Sequence, residues 1–159
     1  MSTSLAGAKA ALVALFEATF ADDAESVTVV YGPRSAVTQS RPRVIVVGGV
    51  TDGANEADSL EGDEGSFTED YVIDVVCSVD LPGAGDEGQQ LATEAALDLW
   101  QRCKAAIRGV PDQDLGAAAF GVQKAAPAVP FSLGERAGDS ENPGRTAAVR
   151  WGVRVIAQP

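Results

Sequence analysis

The chain has 159 residues, 45% of them hydrophobic and 22% charged, and carries a net charge of −11 with an isoelectric point near 4.3. That length suits one domain with a real core, and the charge argues against a surface built to neutralise phosphates. No histidine is present, which removes the commonest general base, the usual triads and most zinc sites.

The N-terminal stretch LAGAKAALVALFEATF lacks a basic start and contains Lys9 and Glu17, so it reads as an amphipathic helix rather than a signal peptide. Ser4 is placed to cap it, with Leu5, Ala8, Leu12, Leu15, Phe16 and Phe20 on its buried face. VTVVY (27–31), stopped by Gly32-Pro33, reads as a short strand. RPRVIVVGGV (41–50) reads as a second, interior strand, because Val44 to Val47 are apolar on both faces. TDGANEADSLEGDEGS (51–66) has no periodicity and reads as a long acidic loop. It belongs to a stretch between Arg43 and Arg102 that contains no Lys or Arg.

FTEDYVIDVVCSVD (67–80) gives the strongest strand signal in the chain. Phe67, Tyr71, Ile73, Val75, Cys77 and Val79 face one way; Thr68, Asp70, Asp74, Ser78 and Asp80 face the other, with Val72 and Val76 among them. This pattern predicts an antiparallel strand with one wet face. A second helix is predicted from about Asp86 to Arg108, opened by a capping box of Asp86 and Gln89. Its buried stripe is expected to be Leu91, Ala95, Leu99, Cys103 and Ile107, flanked by Ala92, Ala96 and Trp100. AAAFGVQKAAPAVPFSL (117–133) reads as one or two short edge strands broken by Pro127 and Pro130, and GERAGDSENPGR (134–145) as a second polar loop. TAAVRWGVRVIAQ (146–158) is a closing strand, with Arg150 and Arg154 opposite its apolar side. The expected architecture is one α+β domain: a mainly antiparallel β-sheet with two α-helices packed on one face and a long β-hairpin-type loop.

Gly83, Gly85 and Gly88 spell G-x-G-x-x-G between strand and helix. The preceding strand is polar on one side, and Asp86 and Glu87 stand where a pyrophosphate would sit. The glycines therefore read as a strand-to-helix turn, and no cofactor is assigned. The acidic loop breaks the EF-hand rhythm at Asp52-Gly53-Ala54-Asn55. A loose divalent site at Asp58, Glu61, Asp63 or Glu64 stands as the alternative to a solvated loop or one that orders against a partner. Cys77 and Cys103 fall on apolar periodic positions and read as core thiols rather than a disulfide. No catalytic or metal residue is assigned. The candidates are instead contact residues: Asp70 and Asp74 against Arg150 and Arg154, as a local sheet pairing or as rows facing a neighbouring subunit. Asp52, Glu56, Asp58, Glu61, Asp63 and Glu64 in the acidic loop complete the set.

The succession of an amphipathic helix, VTVVYG, RPRVIVVGGV, a long loop, FTEDYVIDVVCSV, EGQQLATEAALDLWQRCKAAIRG and GRTAAVRWGVRVIAQ resembles the tail terminator, or tail-completion, proteins of long-tailed bacteriophages, the class that includes minor tail protein U. The resemblance covers most of the chain and rests on element order and length. It implies a virion protein, assembled in the host cytoplasm. In that class the subunit is not an enzyme and forms a ring, usually a hexamer, at the head-proximal end of the tail tube. There it would stop polymerisation of the tail tube protein and dock to a head-completion or neck protein, with DNA passing through unbound and no membrane involved. Another neck ring, such as a head–tail connector or adaptor, and a small acidic ligand-binding domain are the alternatives.

Overall fold

The computed structural model describes residues 4–23, 25–34, 41–52, 69–82, 85–115, 122–138 and 144–158. Its elements are α1 (Leu5–Thr19), β1 (Thr28–Tyr31), β2 (Arg43–Asp52), β3 (Glu69–Pro82), α2 (Glu87–Gly109), a single 3₁₀ turn (Pro111–Gln113), β4 (Val122–Ala137) and β5 (Gly144–Ala157). The five strands form one sheet in the order β1-β2-β3-β5-β4. β1 runs parallel to β2, and the other three pairings are antiparallel.

Alternation along the strands decides which face is buried. Ile73, Val75, Cys77 and Val79 of β3 lie in register with Val153, Trp151, Val149 and Ala147 of β5, and all are buried. Both helices lay their apolar stripes on this one face, α1 through Ala8, Leu12 and Phe16 and α2 through Ala92, Ala96, Leu99, Cys103 and Ile107. The core is thus a single layer between sheet and helices, the α+β arrangement expected from the sequence. Cys77 and Cys103 are both unbridged and buried in it, and Trp151 Nε1 donates to Cys77 Sγ at 3.4 Å.

Four local expectations are corrected. Ser4 does not cap α1 with its side chain. Its amide donates to the Glu69 carboxylate at 2.9 Å, while its hydroxyl meets both that carboxylate and the Tyr71 hydroxyl, which ties the helix start to the start of β3. Asp86 makes no capping bond either. Its carboxylate takes the Arg145 guanidinium at 2.7 Å instead, since a full charge pair outcompetes a neutral amide donor. The stripe of α2 departs from the predicted one at its start: Leu99, Cys103 and Ile107 are buried as expected, with Ala92 and Ala96 beside them, whereas Leu91 is 60% exposed and Gly88 is buried in its place.

The fourth correction concerns β4. It is not broken by its prolines but is one edge strand of 16 residues, and its last part, with Gly144 and Arg145 of β5, occupies the ends of the stretch read as a loop. Pro127 and Pro130 are tolerated because an edge strand needs backbone donors on one side only. The register slips between Ala128 and Ser132, where four steps of β4 oppose two of β5. This bulge turns Phe131 onto Trp100 of α2, with ring centroids 4.1 Å apart.

Leu99→Ala is expected to destabilise the chain by about 2–5 kcal/mol in denaturant unfolding, whereas Leu91→Ala should change stability by less than about 0.5 kcal/mol. Similar losses at the two positions would contradict the assigned helix face.

Candidate functional site: the outer face of the sheet

The face of β3, β5 and β4 turned away from the helices carries the candidate site. Even-numbered positions of β3 and β5 point there by the two-residue period of a strand. Asp70, Val72, Asp74 and Val76 stand in register with Ile156, Arg154, Gly152 and Arg150. Lys124, Ala126 and Ala128 of β4 extend the row beyond β5. Near β2 this face is closed, with Val44 and Ser78 buried as a register pair. Over β5 and β4 it is open, and Arg150 and Arg154 are exposed.

One of the two expected charge contacts is formed. Arg154 Nε and Nη2 reach the two carboxylate oxygens of Asp70 in a forked pair at 2.9 and 2.5 Å. The pair runs diagonally, because Asp70 is level with Ile156 and Arg154 with Val72. The guanidinium holds the Asp70 carboxyl below the usual carboxylate range, and Asp70 in turn raises Arg154. Asp74 stands on the same diagonal from Arg150, yet no ion pair joins those two among the described residues. Asp52 is placed on β2 opposite Val72. Its side chain, with Glu56, Asp58, Glu61, Asp63 and Glu64, lies outside the described residues, as do Gly83 and Ala84 of the glycine run.

Beside the Asp70–Arg154 pair the outer face sinks into a groove of about 410 Å³. Val72, Ile156 and residues 126–128 floor it, and Lys124 and Arg154 form its rim. Gly152 makes this floor possible. A Cβ there would stand 2.4 Å from Val72 Cγ1 and 3.7 Å from Ala128 Cβ, so only the bare backbone lets Val72 lie across β5. The β4 half of the groove escaped sequence reasoning because Pro127 and Pro130 made the segment look discontinuous. The alternation of Lys124, Ala126 and Ala128 around Pro127 was the available signal.

A second cavity of about 490 Å³ lies where α1 ends beside β1, lined by Glu17, Phe20, Asp23 and residues 26–29. Arg102 forks onto Asp23 at 2.6 and 2.7 Å, with its guanidinium 4.4 Å from the centre of the Phe20 ring. That bond lowers the Asp23 carboxyl and raises Arg102, and it fastens the α1–β1 turn to α2. In the core, the neighbouring Cys77 thiol and burial push the Cys103 thiol up, so it stays protonated and a poor nucleophile. Among the described residues no three His, Cys, Asp or Glu side chains gather as a metal site, and no helix is long and apolar enough to cross a membrane. What the outer face offers is shape and charge for contact.

Neither a scan of protein-family models nor a search of curated proteins returns a match for this chain.

Two outcomes test this geometry. Gly152→Ala is expected to destabilise the fold by about 1–3 kcal/mol, with Val72→Ala in the same chain recovering most of the loss; no recovery would show that Val72 is not what Gly152 accommodates. Asp23 and Asp70 are held below their ordinary value when folded, so each adds stability above that value and loses it as pH falls through the lowered one. Replacing Arg102 and Arg154 together by Gln should therefore lower stability at neutral pH and flatten its decline below about pH 4. An unchanged acid limb in denaturant titrations would contradict these pairings.

Proposed function

We propose that the chain is a structural subunit of a long-tailed bacteriophage, a tail terminator. Copies of it close into a ring, six by the resemblance, at the head-proximal end of the tail tube. The ring stops tube growth and joins the tube to the neck. The observation that carries this reading is the one-sided architecture. Two helices cover one sheet face, while the other keeps an open apolar groove and a row of charges. Such a face is suited to a neighbouring protein.

The charge supports the same reading. A lumen through which DNA slides should not hold phosphates, and a chain of net charge −11 repels them. Asymmetric contacts between identical subunits give rings when the rotation closes. The acidic stretch 51–66 and the hairpin stretch 134–145 are the segments proposed to meet neighbouring subunits, the tube protein or the neck protein. No cofactor enters this role.

Negative-stain electron microscopy of the purified chain, with and without a divalent cation and the tail tube protein, is the test. Closed rings that cap tubes are expected. Rings that sit on the portal and leave tubes uncapped would replace the terminator by a connector, and a chain that stays monomeric in every mixture would end the ring reading. Removing residues 54–64 should leave unfolding unchanged and reduce ring yield. Loss of folding in that variant would show that the segment belongs to the core.

A further inference from the structure

The helix layer carries a surface that matches the outer sheet face. Glu87, Leu91, Glu94 and Asp98 recur at spacings of four, three and four, which places them along one stripe of α2. All four are exposed, and Leu91, at 60%, is the most exposed of the large hydrophobic side chains among the described residues. An exposed leucine among three acids faces solvent on one side of the molecule. On the opposite side an apolar groove is rimmed by Lys124 and Arg154, with Arg150 farther along the same face. Asp98 lies 3.9 Å from Arg102, and Arg154 is held by Asp70. Among the described residues no ion pair involves Glu87, Glu94, Lys124 or Arg150, so these four keep their charges for a contact.

We infer that this α2 stripe of one copy docks into the outer-face groove of the next, with Leu91 in the groove between Val72 and residues 126–128 and Glu94 toward Lys124. The occupant is therefore a second copy of this chain. This inference rests on the reading of the chain as a self-assembling subunit, but not on its place in a phage tail.

The electrostatics select this arrangement. Two chains of net charge −11 repel each other overall, so a stable contact must set a locally basic area of one against a locally acidic area of the other. The β4–β5 part of the outer face is such a basic area, with Lys124, Arg150 and Arg154 against Asp70 and Asp74. Pairing two α2 stripes would set like charges together, since Glu87, Glu94 and Asp98 are all acidic. Stripe to groove sets unlike charges together. The two surfaces lie on opposite layers of the domain, so each copy that docks leaves its own groove open for another. The contact is heterologous and propagates until it closes. The stripe from Glu87 to Asp98 spans about 17 Å of helix.

Thiol cross-linking of two variants tests the docking. A tagged chain with Gln90→Cys, beside the stripe, is mixed with an untagged chain carrying Ala128→Cys, in the groove. A short bismaleimide is then added; native Cys77 and Cys103 are buried. A tagged–untagged dimer is expected. It should fall severalfold when the tagged chain also carries Leu91→Arg, or the untagged chain Lys124→Glu. Glu94→Lys in the tagged chain should restore part of the loss caused by Lys124→Glu. All the changed side chains are exposed or half-exposed, and far-UV circular dichroism checks that each variant is folded. Absence of the mixed dimer, or a yield indifferent to Leu91→Arg and to the charge exchange, overturns the docking. If the unmodified chain nevertheless forms rings, the subunit reading stands with a different interface. If it forms none in any mixture, that reading falls as well.

Discussion

The pairing of β3 with β5 is the interaction on which the rest of the molecule depends. It runs without a register break from Glu69 opposite Ala157 to Pro82 opposite Gly144. Because the side-chain period of a strand is two, this single register fixes two surfaces at once. The odd positions become the floor on which both helices rest; the even positions become the charged outer rows. A slip of one residue would put Asp70, Asp74, Arg150 and Arg154 into the core, where unpaired charge is prohibitively costly. β2 and β4 then attach to the two sides of a ribbon whose faces are already assigned.

The layers are held in place by bonds between residues far apart in sequence. Ser4 with Glu69 fixes the start of α1 to β3, Asp23 with Arg102 fixes its end to α2, and Asp86 with Arg145 fixes the start of α2 to β5. Thr93 donates to Glu135 and so bridges α2 to β4. Each lies at the edge of the core, where water still competes, so their role is orientation more than net stability. Among the described residues the core cluster is apolar apart from the two thiols, the Trp151 indole N–H that bonds one of them and the Tyr71 hydroxyl that meets Ser4.

Much of this was legible in the sequence where a pattern is both long and local. β3 and β5 alternate over a dozen residues, and their faces, including the Asp70–Arg154 contact, follow from that period. The helices were legible as helices, and so was the buried face of α2 from Ala92 to Ile107, with Leu91 as the exception. Leu91 satisfies the same spacing as Leu99, yet Leu91 is exposed and Leu99 is buried. The caps were not legible. Ser4 and Asp86 have good local partners, but nonlocal charged groups, Glu69 and Arg145, took their side chains. β4 was obscured because proline is read as a break, while at a sheet edge it costs nothing on the unpaired side. The groove inherits that difficulty, since half its floor is β4.

The domain has one sheet face covered by helices and one open face, and the docking proposed above uses both of its outer layers. The apolar floor set by Gly152 and Val72 supplies a socket, and the acid-flanked Leu91 supplies a matching projection.

A cryo-electron microscopy reconstruction of the assembled particle tests this account most directly. The account predicts a closed ring in which the α2 layer of each subunit covers the outer β4–β5 face of the next, with Leu91 out of contact with water. A particle whose outer sheet faces stay bare around the whole ring, or pair with each other, would contradict it.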